Sequence, residues 1–259
     1  TTEKKIQRAD LDGEEVEDLI TVLLGPSDIA LDLDAGKMYW IDVPARRIQR
    51  ANLDGSDVED LVTGIGEGTL VEGGGKIALD TVANKMYWTE SFTKSINRAN
   101  LDGTGEETLV QGGTGFGTIA LDVPAGKMYY LQNFPNDDPE AVLPLSQIRR
   151  ANLDGTDQET LIDDKFTYAI ALDPDAGKMY FQALPEGIHR ANLDGSEEEP
   201  IEIEVDQPGS VRGLELDVSA GKVYWTGSRN IIGRTNLDGS GSEALTAGPT
   251  GGAGIALDV

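Results

Sequence analysis

Hydrophobic positions recur in short runs separated by turns, and one stretch shows the pattern clearly. Ile29-Ala30-Leu31 reads as a short apolar strand, Asp32 to Gly36 as a turn, and Lys37-Met38-Tyr39-Trp40-Ile41 as a second strand. Ile48-Gln49-Arg50-Ala51-Asn52-Leu53 is a third strand, Asp54-Gly55-Ser56 turns it, and Asp57 to Val62 forms an outer fourth. Strand alternation places Ile29 and Leu31 on one face and Ala30 on the other. Both faces are apolar, so the first strand is expected to be buried on both sides. The short links favour antiparallel meander pairing, because parallel crossovers need a dozen residues or more.

The pattern repeats six times. Leu-Asp-Gly begins at Leu11, Leu53, Leu101, Leu153, Leu193 and Leu237, and Ile-x-Arg precedes each copy at a fixed offset, with Arg8, Arg50, Arg98, Arg150, Arg190 and Arg234. An Ile-Ala-Leu-Asp-like motif supplies Leu31, Leu79, Leu121, Leu172, Leu216 and Leu257. Its mean spacing, about 45 residues, fits a four-stranded propeller blade. Ala30, Ala78, Ala120, Ala171 and Ala256 recur between the apolar positions, with Glu215 the exception. A small residue there suits sheets converging on a central axis.

The expected fold is therefore an all-β, six-bladed β-propeller of four-stranded antiparallel blades, one domain over residues 1–259. The chain opens on a third strand, Ile6-Gln7-Arg8, and stops after a first strand, Ile255-Ala256-Leu257-Asp258. The ring is expected to close by N-terminal outer strands pairing with the C-terminal inner strand, which covers an otherwise exposed edge. The second strand of that last unit has no counterpart: residues precede Thr1, or one blade is a strand short.

The repeats resemble the YWTD propeller repeat, the class B repeat of the low-density lipoprotein receptor family. The resemblance is carried by Tyr39-Trp40-Ile41-Asp42, Tyr87-Trp88-Thr89-Glu90, Tyr129-Tyr130, Tyr180-Phe181 and Tyr224-Trp225, each followed by Ile-x-Arg and Leu-Asp-Gly. It implies a six-bladed propeller that mostly binds proteins and has no catalytic activity of its own. The family's fourth-position Asp survives only as Asp42, with Glu90 a near match. Gln132, Ala183 and Gly227 fill the other slots, so a polar network through that Asp is expected to be partial or rewired. Cysteine-rich modules that accompany the propeller in animal receptors are absent from the sequence, so receptor biology is not carried over.

Composition narrows the function classes. The chain has 259 residues and no cysteine, which excludes disulfide scaffolds, thiolate zinc sites and cysteine nucleophiles. Lys plus Arg number 21 against 46 Asp plus Glu, a formal charge of −25, which argues against nucleic acid and against anionic membrane. No apolar run approaches the roughly 18 residues of a membrane helix. The opening Thr-Thr-Glu-Lys-Lys shows no signal-peptide pattern, but a mature secreted chain would have lost one. The acid excess is read first as solvation of an extracellular, secreted or high-salt protein, with attraction of a basic protein partner and Ca²⁺ at the channel mouth as the other readings; the absence of any Asn-x-Ser/Thr sequon is silent on the compartment.

Residues constant across copies are read as structural. The six arginines are expected to bond acids or carbonyls of a neighbouring blade, with Lys37, Lys85, Lys127, Lys178 and Lys222 in a similar role. The Asp of Leu-Asp-Gly favours a tight turn and its Gly a positive φ. The Tyr-Trp pairs read as core, and the glycine runs as loops. His189, the sole histidine, shares its slot with Gln7, Gln49, Asn97, Arg149 and Gly233, which suggests an exposed strand face and no catalytic role. No catalytic residue and no metal ligand set is assigned. Asp32, Asp80, Asp122, Asp173, Asp217 and Asp258 fall in ring-like order at the inner-strand ends, where Ca²⁺ is the one cofactor left open.

Copies differ in their links. Those from fourth to next first strand share a rim, the upper face, with those from second to third strand. The insertion Leu131 to Ser146 lies there and exceeds the other copies by about ten residues, and long ordered loops on a rigid scaffold are often functional. Candidate ligand-binding residues are Arg46, Phe92, Phe116, Phe134, Phe166, Tyr168 and Arg212, an aromatic and basic set of the kind that anchors interfaces. The expected function is a non-catalytic recognition module for a protein or glycan ligand. Two alternatives are a lectin with several rim or inter-blade sites and a calcium-dependent hydrolase with metal in the axial channel.

Overall fold

The computed structural model describes residues 4–65, 75–135, 145–163, 167–183, 187–201, 203, 211–227, 231–247 and 254–259. Every described element is a strand. Blade 1 is β3 (Pro26–Asp32), β4 (Lys37–Asp42), β5 (Arg47–Asn52) and β6 (Glu59–Thr63). Blade 2 is β7 (Ile77–Asp80), β8 (Lys85–Glu90), β9 (Ser95–Asn100) and β10 (Glu107–Gln111). Blade 3 is β11 (Gly115–Asp122), β12 (Lys127–Phe134), β13 (Leu145–Asn152) and β14 (Glu159–Asp163). Blade 4 is β15 (Ile170–Asp173), β16 (Lys178–Ala183), β17 (Gly187–Asn192) and β18 (Glu199–Ile201). Blade 5 is β19 (Val211–Asp217), β20 (Lys222–Gly227), β21 (Ile231–Asn236) and β22 (Glu243–Ala247). Each is an antiparallel meander, inner strand first, and β12 and β13 extend their hairpin into the insertion until Phe134 faces Leu145.

The expectation of six blades is wrong: the described residues form five four-stranded sheets and one two-stranded ribbon, β1 (Lys4–Arg8) with β2 (Glu17–Leu23). The C-terminal Ile255-Ala256-Leu257 forms no strand, although it lines the axial cavity beside the five inner strands. Among the described residues no second strand lies between the ribbon and this segment. In every blade that strand pairs on both sides, with the first and with the third. No described strand bridges the ribbon and the C-terminal segment, and the expected closing pairing does not form among the described residues. The ribbon still sits between its neighbours. Arg234 Nη1 of blade 5 donates to the Leu11 carbonyl at 3.1 Å, and Ile6 packs with Met38, Trp40 and Ala51 of blade 1.

The second strands supply the core between blades, with Tyr39, Trp40, Tyr87, Trp88, Tyr129, Tyr130, Phe181 and Trp225 all essentially inaccessible. The Ile-x-Arg arginines hold neighbouring blades at the outside. Arg50 donates to Glu59 on its own fourth strand at 2.8 Å, lies 5.7 Å over the Tyr39 ring and donates to the Leu101 carbonyl of blade 2 at 3.1 Å. Arg98, Arg150 and Arg190 repeat the reach to the carbonyls of Leu153, Leu193 and Leu237. The acid partner is thus on the same blade and the carbonyl on the next. Lys37, Lys85, Lys127, Lys178 and Lys222 donate to Asn52, Asn100, Asn152, Asn192 and Asn236. In the Leu-Asp-Gly turns, Asp54 Oδ1 accepts the Ser56 amide at 2.9 Å and Gly55 has φ +83°, beyond the reach of most side chains.

The slot holding His189 is buried in several blades, contrary to expectation: Gln49, Asn97 and His189 are each less than a tenth exposed, while Arg149 is half-buried and only Gln7 of the ribbon is exposed. Its variety follows the neighbouring aromatic and acid. Gln49 accepts from Trp40 Nε1 at 3.2 Å, Asn97 donates to Glu90 at 3.1 Å, Arg149 to Gln132 at 2.7 Å, and His189 Nδ1 sits 2.8 Å from Glu198. At Gly233 the Trp225 indole occupies the space a side chain would take. The rewired network is visible here too: Asp42 accepts the Leu24 amide at 2.9 Å, whereas Glu90 accepts from Trp88 Nε1 at 2.9 Å.

Candidate functional site

Two features meet at the upper face: the rim and the mouth of the axial channel. Of the seven residues chosen from sequence, Tyr168 and Arg212 are brought into contact. The Arg212 guanidinium lies 5.1 Å over the Tyr168 ring, joining the start of blade 5 to the segment before β15. Both side chains are half-buried, and Arg212 Nε is buried with no hydrogen-bond partner among the described residues. Phe92 stands out from the β8–β9 turn, 45% exposed. Arg46 is half-buried in the β4–β5 turn with φ +60°, and Phe134 is half-buried at the end of β12. Phe116 is core, tilted against Tyr130 with ring centroids 5.9 Å apart. Phe166 lies outside the described residues, as does 136–144 of the insertion.

The channel is a cavity of about 360 Å³ lined by the inner strands and by Ile255 to Leu257. Strand alternation sets two rings of channel-facing residues. The upper ring is Asp28, Lys76, Thr118, Ala169 and Gly213; the lower is Ala30, Ala78, Ala120, Ala171, Ala256 and Glu215. Lys76 crosses the upper ring. Its Nζ is 3.3 Å from Asp28 Oδ1 of blade 1 and donates at 2.8 Å to the Arg212 carbonyl of blade 5. Asp28 Oδ2 also accepts the Ile77 amide at 2.9 Å. One lysine therefore ties three blades together and holds the backbone of Arg212, whose side chain stacks on Tyr168.

Glu215 lies below, in a bore otherwise walled by Ala, Ile and Leu. Burial away from bulk water raises its pKa to about 8, and the nearby Asp28 carboxylate adds to the shift, while Lys76 opposes it. Burial likewise raises Asp28, against the pull of Lys76 and the Ile77 amide. Both side chains keep partial exposure because the space they meet is the cavity. The signal was present in the sequence, where Glu215 alone breaks the alanine column. It was legible as a departure but not as a charge cluster, because only the closed ring brings Asp28, Lys76 and Glu215 together.

The inner-strand aspartates face their own turns. Asp32, Asp80, Asp122, Asp173 and Asp217 each accept the amide three residues on, at 2.8–3.1 Å. Among the described residues, no group of three His, Cys, Asp or Glu is arranged to hold a metal ion.

These features define an all-β propeller of four-stranded antiparallel blades. Residues 36–64 match the family described as Low-density lipoprotein receptor repeat class B, so the resemblance read from the sequence stands. Among solved structures, the nidogen/laminin complex holds a chain 19% identical, with TM-score 0.80 over 98% of this chain and 94% of that one. A TolB-type protein from Agrobacterium tumefaciens is 14% identical, with TM-score 0.73 over 95% and 89%. A gluconolactonase from Xanthomonas campestris is 18% identical, with TM-score 0.69 over 98% and 88%. At these identities the likeness is one of fold. No curated protein matches the chain.

Proposed function

We propose that this chain is a non-catalytic recognition module that binds an extracellular protein or glycan at the upper rim, around the Tyr168–Arg212 stack. The observation that carries the reading is the stack itself: an aromatic face and a guanidinium held together on a rigid scaffold, with one buried guanidinium N–H that has no partner among the described residues. Aromatic and Arg side chains in partly desolvated settings are typical interface anchors. Phe92 adds exposed apolar area on the same face. Phe116 supports the rim from the core and is not a contact residue. The nidogen-like fold and the YWTD repeat support a protein ligand over a small-molecule substrate.

The chain is screened against arrays of extracellular proteins and glycans, with and without Ca²⁺. Binding is expected to be independent of Ca²⁺ and to weaken on Tyr168→Ala or Arg212→Ala by roughly 30-fold, about 2 kcal/mol. Melting temperatures of the variants are expected to stay near the parent. Lactone hydrolysis dependent on Ca²⁺, or a ligand bound equally by all variants, would contradict the reading.

A further inference from the structure

The axial channel holds a carboxylate that neither the fold nor the rim uses. Glu215 stands where the other copies carry alanine, so its side chain meets the bore where theirs end at a methyl. Among the described residues no side chain donates a hydrogen bond to it, and its charged neighbours are Asp28 of β3 and Lys76 just ahead of β7. The remaining lining, from the five inner strands and residues 255–257, is Thr118, Gly213 and Ala, Ile and Leu side chains. Asp28 is engaged at both oxygens, by Lys76 and by the Ile77 amide, and Lys76 is held by Asp28 and the Arg212 carbonyl. Two carboxylates therefore face one ammonium, and once Glu215 ionises the bore lacks one positive charge. Its shape is as selective. Lys76 crosses the upper end, whereas Leu33 at the lower end both lines the bore and is 40% exposed, which makes the lower end the way in. The volume, about 360 Å³, lies near the small end of ligand pockets, roughly 300–1,000 Å³.

We propose that the bore is a binding site for a small aliphatic monoammonium, which enters from the lower end with its ammonium at Glu215 and its alkyl stem along the apolar wall. About 10 Å of strand separates the level of Ala30 and Glu215 from Leu33, room for a stem of about six carbons. Charge complementarity selects the head group. An ionised carboxylate is costly in an apolar wall unless it is paired, and an ammonium pairs it while adding the one charge that is lacking. An anion would meet Glu215 and Asp28, and a neutral alcohol would leave the carboxylate uncompensated. A divalent cation is disfavoured, because both Asp28 oxygens are taken and the Lys76 ammonium stands beside them. Burial holds the Glu215 proton up to about pH 8, so at neutral pH the arriving ammonium displaces one proton, which leaves to water. The site depends on neither side chain of the Tyr168–Arg212 stack and stands apart from the rim.

The probe is n-hexylammonium, compared with shorter alkylammonium ions, n-hexanol and hexanoate by calorimetry on the whole chain. Saturable binding at one site is expected, with slowed amide exchange in residues 76–78 and 213–216. Affinity is expected to rise roughly tenfold per pH unit up to about pH 8 and to level off above it, because the alkylammonium stays charged throughout. Each methylene removed from the stem is expected to weaken binding about fourfold. Glu215→Gln and Glu215→Ala are expected to weaken it about tenfold or more at pH 9 and to abolish the rise with pH. Both variants are expected to fold, since alanine is the residue of the other copies. No binding, equal affinity for hexanol or hexanoate, parent-like affinity in Glu215→Gln, or affinity constant from pH 6 to pH 9 would each overturn the proposal. So would displacement of the amine by Ca²⁺, or exchange protection confined to the rim residues 91–94 and 167–168.

Discussion

At the residue scale the most informative side chain is Glu215. Its pKa is about 8 in the folded chain against 4.5 for an ordinary Glu, so the folded state binds the proton more tightly. Its contribution to stability is intact below about pH 4.5 and is lost as pH rises towards 8, with a slope approaching 1.4 kcal/mol per unit. Glu215→Ala, which restores the residue of the other five copies, is expected to have little effect at pH 4.5. At pH 8 it is expected to stabilise by a few kcal/mol. Denaturation of both proteins across that range checks it, and a constant difference would show that Glu215 does not titrate in this window. Single-residue reading of the sequence succeeded where a copy kept a role in every blade, as with the arginines. It failed for the His189 slot, because chemical variety there tracks partners across the sheet and not exposure.

At the element scale the strands were legible because apolar alternation and Leu-Asp-Gly turns mark both ends of most of them. The observed β4 and β5 begin and end within a residue of the expected runs. The missing sixth blade was half legible. Ile6-Gln7-Arg8 and Ile255 to Asp258 were legible as a third and a first strand, but whether they pair depends on bridging: an inner strand is held by its second strand, and the described residues place none between these two. The same logic predicts unequal arginines. Arg150→Ala removes contacts to Glu159, the Tyr129 ring and the Leu193 carbonyl, and is expected to cost about 1–3 kcal/mol. Arg8→Ala removes a surface ion pair with Glu17 and is expected to cost less than about 1 kcal/mol. Comparable losses in urea melts would show that the carbonyl link between blades carries little energy.

At the scale of the whole molecule, ring geometry creates both candidate features. Asp28 and Lys76 are 48 residues apart and Lys76 and Arg212 are 136 apart, yet one ammonium joins them at the channel mouth. No local pattern announces such a cluster, which is why the sequence located the upper face but not the floor beneath it. Of the rim residues chosen from sequence, Tyr168 and Arg212 share a contact that spans two blades, while Phe116 is drawn into the core by Tyr130. The direct test of a rim-binding module is hydrogen exchange of the chain with and without its array-identified ligand. The account predicts slowed exchange in residues 167–168, 211–213 and 91–94, with the outer strands unchanged. Protection confined to the outer strands and Leu-Asp-Gly turns would contradict it.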